Sequence, residues 1–187
     1  IAIGDNLPKN LLDLDNSVEQ NIKLLSDAKN LKPEDITACV LDRPRHKLII
    51  EKLKKMNVNI KFISDGDVSG VISVIDKNSP VDIYIGTGGG PEGVLAAAAL
   101  SCLGGQMQTR LVLNPQEEKR AFKMGIKDFS KKYNIEELVK GDVMFCASGI
   151  TDGDIVNGVK ENDNSYEVST FALHKNTKRN LKTTNIH

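Results

Sequence analysis

The feature that most constrains this chain is a repeated exchange of two periodicities. Short apolar runs of strand character alternate with stretches whose apolar residues recur every three or four positions. Ile36 to Leu41 is the first such run, and beyond a polar turn Ile49, Leu53 and Met56 mark a helix with one buried stripe. Asn59 to Ser64 then reads as a strand and Val68 to Ile75 as a helix, followed by a strand at Val81 to Ile85 and a helix at Pro91 to Leu103. Leu111 to Leu113 reads as a further short strand, with Pro115 to Met124 helical after it. Ahead of all these, Asn16-Ser17 starts a helix with Val18, Ile22 and Leu25 on one face and Pro33 beyond its end. Asp142 to Ala147 and Glu167 to Leu173 are strand candidates. No helix follows the second, so the stretch from Glu167 to Ile186 is expected to pair antiparallel. The pattern predicts an α/β fold: a mostly parallel sheet flanked by helices, with an antiparallel edge near the C-terminus.

Composition removes several function classes. The chain has 187 residues, with 25 basic and 25 acidic side chains and zero formal net charge. That length is enough for one domain with a self-sufficient core, and the charge balance argues against a protein whose main partner is nucleic acid. The longest mostly apolar run, Val94 to Leu103, falls far short of the ~20 residues a bilayer span needs. Neither nucleic acid nor membrane is expected as a partner. Cys39, Cys102 and Cys146 are too scattered for a metal knuckle and odd in number, which suits a reducing, cytoplasmic compartment. The opening Ile1-Ala2-Ile3-Gly4-Asp5 has no basic and apolar leader of a signal peptide and no initiator Met. It reads as the middle of something longer.

In an open α/β sheet, loops that follow parallel strands gather at one edge, where ligands bind. Four such loops are polar here: Asp42-Arg43-Pro44-Arg45-His46, Asp65-Gly66-Asp67, Gly86 to Gly93, and Ser148 to Asp154. They are expected to meet around one crevice. Gly88-x-Gly90-x-x-Gly93 formally matches a dinucleotide fingerprint, but Pro91 lacks a donor and Glu92 sets a carboxylate where a pyrophosphate would lie. Glu92 suits a phosphate site if a divalent cation stands between the two anions; otherwise it decorates a first turn, where the helix dipole favours an acid. Arg43 and Arg45 flank a proline and offer two planar, permanently charged forks to a phosphate, against the alternative of a surface ion-pair cluster. His46 reads as a helix-start residue rather than a base. Asp65 and Asp67 can bind a metal, accept from sugar hydroxyls or cap the next helix, while Asp152-Gly153-Asp154 reads as turn or capping chemistry. Taken together, the residues point to a phosphorylated, hydroxyl-rich metabolite.

Five ordered motifs carry a resemblance. Leu41-Asp42-Arg43-Pro44-Arg45-His46, Ser64-Asp65-Gly66-Asp67-Val68, Gly86-Thr87-Gly88-Gly89-Gly90-Pro91-Glu92-Gly93-Val94, Leu103-Gly104-Gly105-Gln106-Met107-Gln108-Thr109-Arg110-Leu111 and Ser148-Gly149-Ile150-Thr151-Asp152-Gly153-Asp154 follow one another at family spacing. The chain resembles class II fructose-1,6-bisphosphatases of the GlpX type, whose photosynthetic relatives also cleave sedoheptulose 1,7-bisphosphate. The resemblance runs through Thr184-Asn185-Ile186-His187. It implies a sugar-phosphatase fold and hydrolysis of a 1-phosphate with Mn2+ or Mg2+. By position it makes Arg43, Arg45, Asp65, Asp67 and Gly89 substrate contacts and Glu92 a metal ligand. Where the family often has Lys, this chain has Arg43, which keeps the charge and changes the hydrogen-bond geometry. The family's other metal carboxylates and the groups around its nucleophilic water belong to a leading segment with no counterpart before Ile1. The expectation is therefore a carboxy-terminal part, residues 1 to 187, without catalytic residues of its own and inactive by itself. Two other readings stay open: a non-catalytic phosphosugar-binding or regulatory domain, and a monophosphatase for a related polyol. Self-association is expected only as a base rate for soluble α/β enzymes.

Overall fold

Two sheets share one helix. The computed structural model describes residues 1–186; His187, where the resemblance closes, lies outside the described residues. The first sheet contains β1 (Ala2–Ile3), β2 (Thr37–Leu41), β3 (Asn59–Ile63), β4 (Ile83–Tyr84), β5 (Gln106–Arg110) and β6 (Lys132–Asn134), in the order β3-β2-β4-β1-β5-β6. β2 pairs parallel with β3 and with β4. β1 is inserted antiparallel between β4 and β5, and β6 runs antiparallel to β5. β2, β3, β4 and β5 thus point one way, which is the mostly parallel sheet that the alternation predicts.

Strand periodicity divides its core into two faces. Ala38, Val40 and Ile83 pack against Ile22 and Leu25 of α1 (Val18–Lys29) and Leu53 of α2 (Lys47–Lys55). Their neighbours Cys39 and Tyr84 point the other way, onto Val71 of α3 (Asp67–Ile72) and Ala96 and Leu100 of α4 (Gly90–Leu103). Each fully buried Leu or Ile contributes about 1.5–3 kcal/mol relative to exposure. α1 begins where Ser17 and Gln20 form a reciprocal capping box, and it ends at Asn30 in the left-handed conformation.

The second sheet is entirely antiparallel: β7 (Met144–Ser148), β8 (Lys160–Asn162), β9 (Ser165–His174) and β10 (Arg179–Ile186), with β9 in the centre paired to all three others. Phe145 and Leu173 close on Ile72 and Ala99, with Cys102 and Leu103 beside them. α4 therefore turns Ala96 and Leu100 toward one sheet and Ala99 and Leu103 toward the other. A helix packed between two sheets can carry the charge-free run Val94 to Leu103, although Val94 and Leu95 near its start stay exposed. The antiparallel structure near the C-terminus is a sheet of its own.

One strand lies elsewhere than its apolar residues suggest. Leu111 to Leu113 is outside any strand, and the strand is β5, just before it. Gln106, Gln108 and Arg110 share one face of β5, and they hold the segment 7–15 that wraps across it. Gln106 donates to the carbonyls of Leu7 and Pro8 and accepts from Asn10 N; Gln108 accepts from Leu14 N; Arg110 pairs with Asp15. A polar face that binds another part of the chain gives no hydrophobic signal. α5 (Pro115–Lys123) and α6 (Ile135–Leu138) follow, each started by an Asn–Glu capping box.

Candidate functional site

Three of the four polar loops do converge. Leu41, Arg43, Arg45, Asp65, Gly66, Asp67, Val68, Gly89 and Glu92 line one cavity of about 280 Å³ at the ends of β2, β3 and β4. All six residues singled out by resemblance, Arg43, Arg45, Asp65, Asp67, Gly89 and Glu92, are among them. The fourth loop, after β7, is not. β7 belongs to the second sheet, so its turn is delivered elsewhere: Asp152 accepts from Gly158 N within the loop, and Asp154 pairs with Lys61 of β3 at 2.8 Å. Turn chemistry is what Asp152 performs there.

Local sequence explains how each side chain reaches the cavity. Pro44 forces Arg43 into an extended conformation, φ −138° and ψ 144°, and then starts the single 3-10 turn Pro44–His46 that leads into α2. Arg45 Nε donates to the carbonyl of Thr87 at 2.7 Å, and its two terminal nitrogens have no partner among the described residues. The Arg43 guanidinium makes a single bond among the described residues, from Nη1 to the carbonyl of Asp42. Gly66 stands at φ +85°, the left-handed region that glycine enters without strain, and this brings Asp65 and Asp67 round together at the start of α3. Glycines matter differently in the third loop. A Cβ on Gly88 would fall 1.8 Å from Asp67 Oδ2, and one on Gly89 would fall 2.0 Å from Glu92 Oε2. The two carboxylates occupy the space that side chains would take. Gly89 caps α4, and Glu92 lies in its first turn, where the helix dipole favours an anion.

Charge distinguishes this cavity. Among the described residues, Arg43 and Arg45 have no carboxylate within ion-pair distance, and Asp65, Asp67 and Glu92 have no cation; pairs elsewhere on the chain include Lys132 with Asp13 and Asp15. The surface ion-pair cluster considered for the arginines is therefore not formed. A cavity of about 360 Å³, between β1, β5 and the start of α6, is larger, but Gln106 and Gln108 in its wall already hold the wrapping segment. Volume alone would favour that cavity, whereas charge distinguishes the smaller one. Under the site, burial pushes the Tyr84 phenol upward, and the nearby Asp67 carboxylate adds to it. Among the described residues no three His, Cys, Asp or Glu side chains are grouped closely enough to hold a metal. Glu92 can supply one hard oxygen ligand, of the kind magnesium and manganese take.

The sequence pattern missed two participants. His46 does stand at the start of α2, as expected, but it is fully buried, and its ring contacts both Leu41 and Thr87. Thr87 takes part through its main chain, for which no sequence signal exists.

Comparison with known proteins settles the family. The family described as "Bacterial fructose-1,6-bisphosphatase, glpX-encoded" matches residues 1–187. The chain belongs to this family. It is 39% identical over 166 residues to the D-fructose 1,6-bisphosphatase class 2/sedoheptulose 1,7-bisphosphatase of Synechocystis sp., covering 81% of this chain and 48% of the relative. The proteins of the same name from Trichodesmium erythraeum and Microcystis aeruginosa are 35% and 37% identical, over 91% and 81% of this chain and 53% and 48% of theirs. The chain spans about half the length of the curated relatives it matches. Among the described residues, no helix is long and apolar enough to cross a membrane.

Proposed function

We propose that these residues form the substrate-binding part of a metal-dependent sugar-bisphosphatase, which releases the 1-phosphate of fructose 1,6-bisphosphate, or of sedoheptulose 1,7-bisphosphate, as inorganic phosphate. One observation carries the reading: two guanidinium groups and three carboxylates, none of them ion-paired among the described residues, line a single cavity. Arg43 and Arg45 receive phosphate oxygens, and two cations on one loop suit a substrate with a second phosphate better than a polyol monophosphate. Asp65 and Asp67 accept from sugar hydroxyls, with Gly89 forming part of the cavity wall and Gly88 lying close against Asp67. Glu92 holds one side of a divalent cation, Mn2+ or Mg2+, whose chemistry when bound is to polarise the phosphoryl oxygens and lower the pKa of water. The remaining ligands and the groups that orient water come from outside these 187 residues, so the activity belongs to the longer protein.

The test is phosphate release from each bisphosphate by the full-length protein, with Mn2+ or Mg2+. Cation-dependent release that Glu92→Gln abolishes without changing the fold is the expected result. Wild-type turnover in Glu92→Gln removes that residue from the metal. No release from either substrate, with tight metal-independent binding, favours a phosphosugar-binding domain instead.

A further inference from the structure

We propose that His46 is a positioning residue that sets the distance between the arginine loop and the glycine loop of this cavity. The inference rests on the phosphosugar reading above and deepens it by naming what holds the site's two halves in register. His46 has no exposed surface, yet it stands in the polar run Arg43-Pro44-Arg45-His46-Lys47. Its Nδ1 lies 2.8 Å from the carbonyl of Leu41, at the end of β2. Its Nε2 lies 2.8 Å from the Thr87 amide nitrogen, just beyond β4. A main-chain N–H can only donate, so Nε2 is the unprotonated acceptor and Nδ1–H is the donor to Leu41. The Thr87 carbonyl, 3.2 Å from the same Nε2, takes its hydrogen bond from Arg45 Nε instead.

Consecutive residues of one loop thus grip both main-chain polar groups of a single residue in the other, one in each of two adjoining peptide units. Arg45 holds the Thr87 C=O, His46 holds the Thr87 N–H, and the following Gly88 and Gly89 lie against Asp67 and Glu92. The imidazole is also confined sterically: a Cβ on Gly86 would stand 3.2 Å from Cε1 and Nε2. A substrate that bridges the guanidinium groups and the acids meets a spacing fixed before it arrives, and small misplacements of reacting groups are costly.

Two substitutions separate positioning from packing. His46→Asn sets an amide N–H near the place of Nδ1 and keeps the tie to Leu41, but has nothing at the place of Nε2. His46→Gln extends a carbonyl oxygen toward Thr87 and restores an acceptor there. Both are made in the full-length protein, with melting temperature, KM and kcat for fructose 1,6-bisphosphate and hydrogen exchange of the Thr87 amide as readouts. Both should lower the melting temperature, because both disturb a buried ring. Only His46→Asn should expose the Thr87 amide to exchange and raise KM about tenfold or more, the scale on which outer-shell partners act; Gln should rescue both. Equal KM values in the two variants, or an unprotected Thr87 amide in the wild type, overturn the proposal. A Thr87 amide that His46→Asn alone exposes, in a protein that neither binds nor turns over either bisphosphate, supports the tie and refutes the phosphosugar reading. Should His46→Asn fail to fold, the nitrogen spectrum of histidine-labelled wild type decides: a protonated Nε2 overturns the assignment, and an unprotonated one coupled to the Thr87 amide sustains it.

Discussion

Arg45 performs two tasks that a single point charge cannot share. Its Nε is spent on the carbonyl of Thr87, while the terminal nitrogens stay available to an anion. Arg45→Ala should therefore weaken substrate binding by about 1.5–3 kcal/mol, the range for a hydrogen bond to a charged group, seen as a roughly 10- to 100-fold rise in KM. Arg45→Lys should behave nearly as badly, since an ammonium group cannot tether Thr87 and bind phosphate at once. An unaltered KM in the lysine variant would show that charge alone matters. The glycines make the complementary case. Gly88 is not at a positive φ, so alanine fits its backbone, but the new Cβ would occupy the place of Asp67 Oδ2. Because that oxygen ends a rotatable side chain, Gly88→Ala should leave the melting temperature almost unchanged while raising KM. A stability loss with unchanged KM would refute the notch. At this scale the acids and arginines were legible because unpaired charge after a strand is conspicuous. His46 was not, since its burial is decided by Leu41 and Thr87, and Thr87 lies 41 positions away in sequence.

Elements show the same division between local and distant causes. α1 was legible at both ends because Ser17, Gln20 and Asn30 act within one turn of where they stand. The two residues of β1 carry no period, and only the gap between β4 and β5 makes them a strand. Apolar pattern points past β5 because Gln106, Gln108 and Arg110 spend their polarity inward, on segment 7–15. The outer end of that contact is an ion cluster in which Lys132 of β6 bonds both Asp13 and Asp15, and Arg110 bonds Asp15. Hydrogen bonding to Lys132 holds the Asp13 and Asp15 carboxyls below their usual range, and the same bonds raise the Lys132 ammonium. A lowered carboxyl pKa means that the unfolded chain binds more protons as the pH falls, so the contribution is present above about pH 4 and lost in acid. The raised ammonium pKa removes it again above about pH 10. Lys132→Met should lower the melting temperature slightly at neutral pH and low salt. The gap to wild type should close in acid and shrink in high salt, because the groups are solvent-screened. A difference independent of pH would mean that packing of the lysine stem, not its charge, holds the wrapping segment.

At the scale of the whole molecule, the proposed binding site and the proposed turnover make different demands. The cavity needs only β2, β3, β4 and the helices that follow them, and α4, whose first turn carries Glu92, is anchored on both sheets. This explains why the fold class and the convergence of three loops could be read from alternation alone. The fourth loop was misplaced because its strand pairs in a different sheet, and sheet membership is a long-range property that periodicity does not encode. Catalysis asks for more than these elements hold. Hydrolysis of a phosphate ester assisted by metal ions needs cations fixed by several ligands, and among the described residues no cluster of three donors exists. The 187-residue chain should therefore bind fructose 1,6-bisphosphate through Arg43 and Arg45 and release no phosphate from it. Calorimetry and a phosphate-release assay on the same preparation test both halves of that statement. Binding should weaken as salt rises, because both guanidinium groups are exposed or half-buried and the ligand is an anion. Adding Mn2+ should change affinity modestly, since a single carboxylate offers it little hold. Turnover by this chain would show that the ligands are already present in another arrangement; failure to bind while folded would move substrate recognition out of the cavity.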